Sequence, residues 1–231
     1  MCIRDSYNIT LNYDKGYNLS ADGRTYEVYN ANGLLEWNEA ARNDLSINCT
    51  LIADIDLTGK EWTPIGTKDN QFAGKLFGNG NTISNLTISG GEEKGLFAYS
   101  SGEIKNLYLE NIDITARMNA GGVCAYNSGT IEGCGVLSGA VKSIGPNGGQ
   151  FGGICDDNSG TVSRCFSNAA LNGANSAGIV FVNRANGVVQ DCYNTGTFEG
   201  SSSASGINHN NYGKIKTCLN LGAVIAEDKI S

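Results

Sequence analysis

The sequence predicts an all-β fold, a right-handed parallel β-helix that carries a short N-terminal capping α-helix. The first reason is repetition, since units that begin with glycine and an apolar residue recur every 25 to 31 residues. The second is composition: 32 glycines but only 2 prolines occur in 231 residues, and glycine supplies the positive φ angles of tight corners. Third, no apolar stripe of helical period recurs in the repeats. Parallel crossovers are almost always right-handed, which sets the predicted hand.

Five repeats align column by column along the C-terminal part of the chain. The glycine columns are Gly95, Gly122, Gly153, Gly178 and Gly206, and then Gly102, Gly129, Gly160, Gly187 and Gly213. The apolar columns are Ile104, Ile131, Val162, Val189 and Ile215, then Leu107, Cys134, Cys165, Cys192 and Cys218, and finally Ile114, Val141, Leu171, Phe198 and Val224. Each unit therefore predicts three short strands per coil, with neighbouring coils stacked about 4.8 Å apart.

The beginning of the chain contains two segments outside the repeats. Residues 1–6, "MCIRDS", match the translation of a transposase recognition end used in sequencing-library preparation, and we interpret them as an adapter scar. Residues 7–29 are interpreted as an N-terminal β edge or as the remnant of a preceding domain. The true N-terminus is therefore expected to lie outside this sequence.

Residues 30–45 predict the capping helix. An asparagine stands at its start as a cap, and one broad face can hold Leu34, Leu35, Ala41 and Leu45. Because a stack of coils has an open apolar end and unpaired strand edges, we expect this helix to act as a lid over the first coil. The β-helix itself is expected over residues 46–231, and because no comparable cap follows the last repeat, we expect it to be truncated at its C-terminus.

The repeat units resemble a known family. The segments "GGVCAYNSGTIEGC", residues 121–134, and "GGICDDNSGTVSRC", residues 152–165, look like GLUG-motif repeats, and "LIADIDLTGKEWTPIG", from residue 51, resembles the segment that opens such arrays. The resemblance covers about residues 25–226. It implies a right-handed parallel β-helix in bacterial secreted or surface-attached proteins, which include adhesin-like proteins and non-catalytic parts of secreted immunoglobulin A metallopeptidases.

The cysteines are interpreted as packing residues. Without Cys2, seven of the eight remain, an odd number, and no CxxC pair or nearby histidine favours a metal site. Most of them form two columns, Cys124 with Cys155 and the column that we call the core ladder, which consists of Leu107, Cys134, Cys165, Cys192 and Cys218. Because leucine occupies one rung, we expect buried free thiols that act as small hydrophobes. Disulfides between coils are the alternative in an exported protein.

The column directly after the core ladder is a candidate binding surface. Ile131 and Cys134 are three residues apart, so both can face inward only if a bend lies between them. The next column would then face outward, as an apolar stripe made of Tyr108, Phe166, Tyr193 and Leu219. We call these four residues the aromatic stripe. It could dock a glycan or a protein, whereas a shifted bend would make it part of the core.

No catalytic or metal-binding constellation is predicted. Asp156 and Asp157 are adjacent, so we expect their side chains to diverge in a strand or to be solvated at a corner. Asp54 and Asp56 could hold a cation, but a polar outer face is the favoured interpretation. His209 has no evident serine or cysteine partner. We therefore predict that the chain is not an enzyme and uses no cofactor.

Charge and hydropathy narrow the possible partners. The net charge of −7 comes without a basic run, which argues against nucleic acid, and no apolar run reaches membrane-spanning length. The sequence favours a non-catalytic extracellular or cell-surface repeat region of a bacterial adhesin-like protein, a rigid stalk or a surface that binds a host or microbial glycan or protein. The alternative is an accessory β-helix of a larger secreted enzyme. An autonomous glycan-cleaving enzyme would need converging carboxylates.

Overall fold

Successive coils of the chain stack in parallel and place their short strands in five β-sheets. The computed structural model describes residues 14–145, 148–198 and 203–224. Within these ranges, strands pair in register with their equivalents one coil away, and only the pair at the N-terminal edge is antiparallel. The predicted parallel β-helix is therefore confirmed.

The first two sheets run along the full stack. The first sheet consists of β1 (Tyr17–Leu19), β2 (Thr25–Val28), β3 (Asn48–Leu51), β5 (Lys75–Phe77), β10 (Glu103–Lys105), β15 (Thr130–Glu132), β20 (Thr161–Ser163), β25 (Val188–Gln190) and β30 (Lys214–Lys216). The second consists of β4 (Ile55–Asp56), β6 (Thr82–Ser84), β11 (Tyr108–Glu110), β16 (Gly135–Val136), β21 (Phe166–Ser167), β26 (Tyr193–Asn194) and β31 (Leu219–Asn220).

The other three sheets begin later in the chain. The third sheet consists of β7 (Thr87–Ile88), β12 (Ile112–Ala116), β17 (Gly139–Ser143), β22 (Ala170–Asn172) and β27 (Thr197–Phe198). The fourth consists of β8 (Glu93–Lys94), β13 (Asn119–Gly121), β18 (Gln150–Gly152), β23 (Asn175–Ala177) and β28 (Ser203–Ser205). The fifth consists of β9 (Phe97–Ser100), β14 (Cys124–Asn127), β19 (Cys155–Asn158), β24 (Val180–Asn183) and β29 (Asn208–Asn211).

The first four repeat coils each contain five strands, so the predicted three strands per coil is wrong. The additional strand of the fourth sheet, for example Asn119–Gly121, is small and polar and therefore carries no apolar column. A sharp turn separates it from the fifth sheet, and a Cβ atom on Gly121 would overlap the carbonyl oxygen of Cys124. The glycine pairs of the repeats thus mark a strand-to-strand corner where no side chain fits.

A left-handed residue splits the middle segment of each unit into two strands. In every repeat the residue before the core ladder has φ between 50° and 63°; these residues are Asn106, Gly133, Arg164, Asp191 and Thr217. The turn carries the chain from the first sheet into the second, so that Ile131 and Cys134 are both completely buried. The bend expected between these two positions is therefore present.

Thr217 occupies this left-handed position at an energetic cost. The left-handed conformation costs a non-glycine residue about 1–2 kcal/mol, and a β-branched side chain is especially unfavourable there. We expect Thr217→Gly to raise the free energy of unfolding by about 1 kcal/mol in urea denaturation, after the entropy cost of glycine is subtracted. Gly133→Ala, at the equivalent position with φ 63°, should lower the free energy of unfolding. If both substitutions changed the free energy of unfolding equally and in the same direction, this explanation would be contradicted.

One helix, α1 (Ala31–Asn43), packs against the N-terminal coils. Asn30 caps it, because its side-chain Oδ1 accepts a hydrogen bond from the Gly33 amide at 3.2 Å. Leu34 and Ala41 of the predicted face are completely buried, whereas Leu35 and Leu45 are half-buried. Among the described residues, no helix is both long and apolar enough to span a bilayer.

Trp37 is the largest helix contribution to the core, and the predicted apolar face did not contain it. Its indole is completely buried. It meets the rings of Phe72 and Phe97 edge-on, at centroid distances of 5.9 and 6.3 Å. The helix therefore closes the apolar interior at this end of the stack, with an aromatic cluster beneath it.

A row of asparagines runs through the buried side of the fifth sheet. Asn127, Asn158 and Asn183 are at most 2% exposed, and each Nδ2 donates to the Oδ1 of the asparagine one coil further on, at 2.8, 3.0 and 2.9 Å. The last acceptor in this row is Asn211. We call the four residues the asparagine row. Each amide also donates to the carbonyl of the glycine that follows it, at 3.2 to 3.5 Å, so the row fixes the corner of every coil.

Candidate functional site

The aromatic stripe lies on the outer face of the second sheet. Phe166 is in register with Gly135 on one side and Tyr193 on the other. Its ring lies 5.1 Å from that of Tyr193 with an interplanar angle of 7°, and 5.9 Å from that of Tyr108. The ring reaches Tyr108 because Gly135 has no side chain, and a Cβ atom there would overlap Phe166.

Exposure of the stripe increases along the stack. Tyr108 and Phe166 are half-buried, whereas Tyr193 is 42% exposed and Leu219 is 55% exposed. Because the rings of Phe166 and Tyr193 cover each other's faces, they present mainly their edges to solvent. The surface is consequently a narrow apolar ridge and offers no flat aromatic platform on which a sugar ring could stack.

The core ladder lies inside the β-helix. Leu107, Cys134 and Cys165 are completely buried, Cys192 is 1% exposed, and Cys218 is half-buried against the core. All seven cysteines of the described residues are free thiols. Each ladder thiol donates to the carbonyl oxygen two residues earlier, as Cys165 Sγ does to Ser163 at 3.2 Å. Burial raises the pKa of Cys165 and Cys155 well above the ordinary thiol range.

Buried thiols of raised pKa should react very slowly, because the thiolate is the nucleophile. In a Cys2→Ser chain treated with a water-soluble disulfide reagent at neutral pH, we expect Cys218 to be modified first and Cys155 and Cys165 only when the protein unfolds. Peptide mass spectrometry after timed quenching gives the order. Rapid modification of Cys165 in the native protein would contradict the buried arrangement.

Asp156 and Asp157 lie in strand β19 and diverge, which is the first of the two expected arrangements. Asp156 is completely buried and accepts a hydrogen bond from Asn119 Nδ2 at 2.6 Å. Its other oxygen, Oδ1, has no partner among the described residues. The fourth sheet folds over the outside of the fifth, and strand β13 thereby covers this carboxyl group.

Asp157 forms a bidentate ion pair with Arg184 on the other side of its strand. Both of its oxygens accept from Arg184, from Nε at 3.0 and 2.9 Å and from Nη2. The preceding rungs of the same row hold Tyr126 and Tyr99, whose rings stack 4.5 Å apart and nearly parallel. These residues lie in neighbouring coils, and no pattern in the sequence indicates that they form one surface.

His209 has a serine partner, contrary to the sequence expectation. Ser203 Oγ lies 2.6 Å from His209 Nε2, and Asn210 Oδ1 lies 3.1 Å from Nδ1. The two residues are neighbours because the fourth and fifth sheets face each other, a relation that a single sequence does not reveal. The imidazole also stacks on the buried ring of Phe181 at 4.7 Å. A nucleophile, a base and an orienting group are thus in hydrogen-bond order.

Asp54 and Asp56 support turns. Asp54 Oδ1 accepts from the amide of Thr82 at 2.8 Å, and Asp56 Oδ1 accepts from the amide and hydroxyl of Thr58 and from Asn85. These hydrogen bonds lower the pKa of Asp56. In the part of the chain that the structure describes, no group of three or more histidine, cysteine or acidic side chains is arranged to hold a metal ion.

Comparison with known proteins supports the fold. No protein family matches the chain. A candidate immunoglobulin A1 protease from Bacteroides ovatus has a similar crystal structure, with a TM-score of 0.66 and 18% sequence identity over 88% of this chain and 77% of that one. At this identity the likeness shows a common β-helical fold alone.

A sequence relative comes from Haloquadratum walsbyi. Its Halomucin is 36% identical to this chain over an alignment of 117 residues, and the match covers 45% of the chain. The matched stretch is only 1% of the length of Halomucin. The relative is therefore far longer than the chain described here, and the similarity concerns a small segment of it.

Proposed function

We propose that this chain is a non-catalytic extracellular repeat region of a bacterial adhesin-like surface protein, built from GLUG-type repeats, that serves as a rigid stalk and binding surface for a glycan or protein. The observation that carries the proposal is the unbroken pairing of coils in five sheets. Because each of the middle coils is hydrogen-bonded to its neighbours through all five sheets, the stack is a stiff spacer. Neighbouring strands about 4.8 Å apart then give a predictable length per coil.

The distribution of polar groups supports a structural role for most of the repeated positions. Asparagine amides are hydrogen-bonded within the stack and cysteine thiols are buried. The side chains in these columns therefore serve packing and hydrogen bonding inside the β-helix. The similarity to a short stretch of the much longer Halomucin agrees with a repeat region inside a large protein. We also propose that the protein to which this repeat region belongs is located at the cell surface.

An accessory β-helix of a larger secreted enzyme is the second candidate. It is favoured by the structural likeness to a candidate immunoglobulin A1 protease, whose named substrate is an extracellular protein. The two candidates differ in the sequence that adjoins the repeats in the gene. A neighbouring surface anchor supports the stalk, whereas a neighbouring catalytic domain supports the accessory role.

The binding role can be tested with the purified chain immobilised against panels of host proteins, microbial proteins and glycans. We expect a ligand whose binding weakens at least five-fold on Tyr193→Ala if the aromatic stripe is the docking surface. Tyr212→Ala is the control, because Tyr212 is also highly exposed, at 68%, but lies outside the stripe. Binding unchanged by Tyr193→Ala would remove the stripe from the proposal.

The non-catalytic part of the proposal has its sharpest test at Ser203. We expect no labelling by a fluorophosphonate probe, which reports an activated serine, and no turnover of small ester substrates. Phe181 packs on the imidazole that would have to act as the base. Labelling that disappears in Ser203→Ala but remains in Ser205→Ala would overturn the non-catalytic assignment.

A further inference from the structure

A small cleft opens beside the stacked tyrosines in the middle of the stack. Its volume is about 100 Å³, comparable to that of about three water molecules. It is lined by Gln71, Tyr99, Tyr126, Asn127, Ser128, Asp157 and Ser159. The lining comes from four successive passes of the chain, because the residues of the fifth sheet lie one coil above another.

Several hydrogen-bonding groups at the cleft have capacity left for a ligand. Gln71 Oε1 accepts from Ser128 at 2.7 Å, and its amide nitrogen makes no hydrogen bond with the described residues. The hydroxyl of Tyr126 likewise has no partner in the described ranges, whereas that of Tyr99 donates to Glu93 at 3.3 Å.

Asp157 supplies a fixed acceptor next to these donors. Its side chain is only 10% exposed, and the two-pronged contact with Arg184 holds the carboxylate in one orientation. The lining of the cleft therefore combines hydrogen-bond donors and acceptors with two stacked aromatic rings. Pre-organised polar groups on an aromatic wall suit a compact polyhydroxylated ligand, whose hydroxyls both donate and accept.

The electrostatic surroundings disfavour an acidic ligand. Burial, and after it the carboxylates of Glu93, Asp157 and Asp69, raise the pKa of Tyr99 to about 12. Against these acidic groups the cleft has one neighbouring cation, Arg184, and Asp157 already neutralises it. A sugar that carries a carboxylate or sulfate would meet a net negative potential, whereas a neutral sugar would not.

We propose that this cleft binds the edge of a single neutral monosaccharide residue within a glycan, held by Gln71, Tyr126 and Asp157. The inference rests on the proposed binding role and names its ligand class and a site distinct from the aromatic stripe. The small volume means that one sugar ring enters by one edge, so the affinity of the cleft for a single glycan is low.

The test is a glycan array probed with the full chain, in which neutral glycans and their sialylated or sulfated counterparts are compared at equal density. We expect signal on neutral glycans only. Loss of one hydrogen bond should weaken binding about five-fold, both in Gln71→Ala and in Tyr126→Phe. Tyr99→Phe is the matched control, since it also removes one hydroxyl, but one already donated to Glu93.

The outcomes separate the cleft from the general binding role. Signal on sialylated glycans alone, or neutral-glycan signal that survives both Gln71→Ala and Tyr126→Phe, would overturn the cleft as the sugar site. A blank array combined with a protein ligand that is lost on Tyr193→Ala would also overturn it, while the binding role of the stack would stand. Circular dichroism of each variant excludes misfolding as the cause of a loss.

Discussion

Replacing Asn158 with alanine should lower the free energy of unfolding by about 3 kcal/mol. Asn158 is completely buried, accepts from Asn127 and donates to Asn183. Its truncation removes these two hydrogen bonds and the one to the Gly160 carbonyl, and it leaves a donor and an acceptor of the neighbouring buried amides with weaker partners. When a buried polar group loses its hydrogen-bond partner, the protein loses about 1–3 kcal/mol of stability. The loss is smaller for an exposed group, because water replaces the missing hydrogen bond.

The end of the asparagine row provides the control. Asn211 accepts from Asn183 in the same geometry but is exposed, so Asn211→Ala should cost about 1 kcal/mol or less. Asn158→Asp preserves shape and volume while it replaces the donating nitrogen with an acceptor that faces Asn183 Oδ1, and it should destabilise at least as much as alanine. Equal midpoints for Asn158→Ala and Asn211→Ala in urea denaturation would show that the row contributes no cooperative stability.

Replacing Asp156 with alanine should raise the free energy of unfolding by about 2 kcal/mol at pH 7, the scale expected for a buried polar atom without a partner. Burial, against one hydrogen bond from Asn119, raises the pKa of Asp156 well above its usual range, and Asp157 contributes in the same direction. Alanine fits the position, because the residue in the preceding coil, Ala125, is completely buried there. Asn119 is half-buried and can turn to water.

The pH dependence of the free energy of unfolding shows whether ionisation of Asp156 causes the stabilisation by Asp156→Ala. Because the pKa of Asp156 is higher in the folded than in the unfolded protein, the folded state binds more protons, and this residue makes the wild-type protein less stable as pH rises from about 4 through the folded pKa. The advantage of Asp156→Ala should therefore be large at pH 7 and small near pH 4. Urea denaturation at both pH values measures it, and a difference that is constant with pH would exclude ionisation as the cause.

The sequence predicted the fold because the aligned repeats indicate a stack of equivalent coils. Glycine columns, the leucine in the core ladder and the three-residue spacing of Ile131 and Cys134 required stacked coils with a bend, and the structure has both. Asn30 and the apolar face of residues 30–45 likewise placed the helix within two residues of its observed bounds. These features depend on local chemistry or on exact repetition, which a single sequence displays.

The remaining features depend on contacts between coils and between sheets. The fourth sheet has small polar strands, so the coil was assigned too few strands, and its position over the fifth sheet was not visible. As a result, the burial of Asp156, the pairing of Ser203 with His209 and the tyrosine cleft were missed. The asparagine row had a usable signal, since Asn127, Asn158 and Asn211 each stand two residues before a glycine of the second column.

The asparagine row also has a direction. Asn158 and Asn183, inside the row, each accept from the previous coil and donate to the next one, so a coil that carries this asparagine presents the same two complementary faces. Coils are therefore interchangeable at this position, and a duplicated coil could join the stack without leaving an amide unpaired. Such an array can grow or shrink by duplication and deletion of whole units, which lets the length of the molecule change while its internal chemistry stays the same.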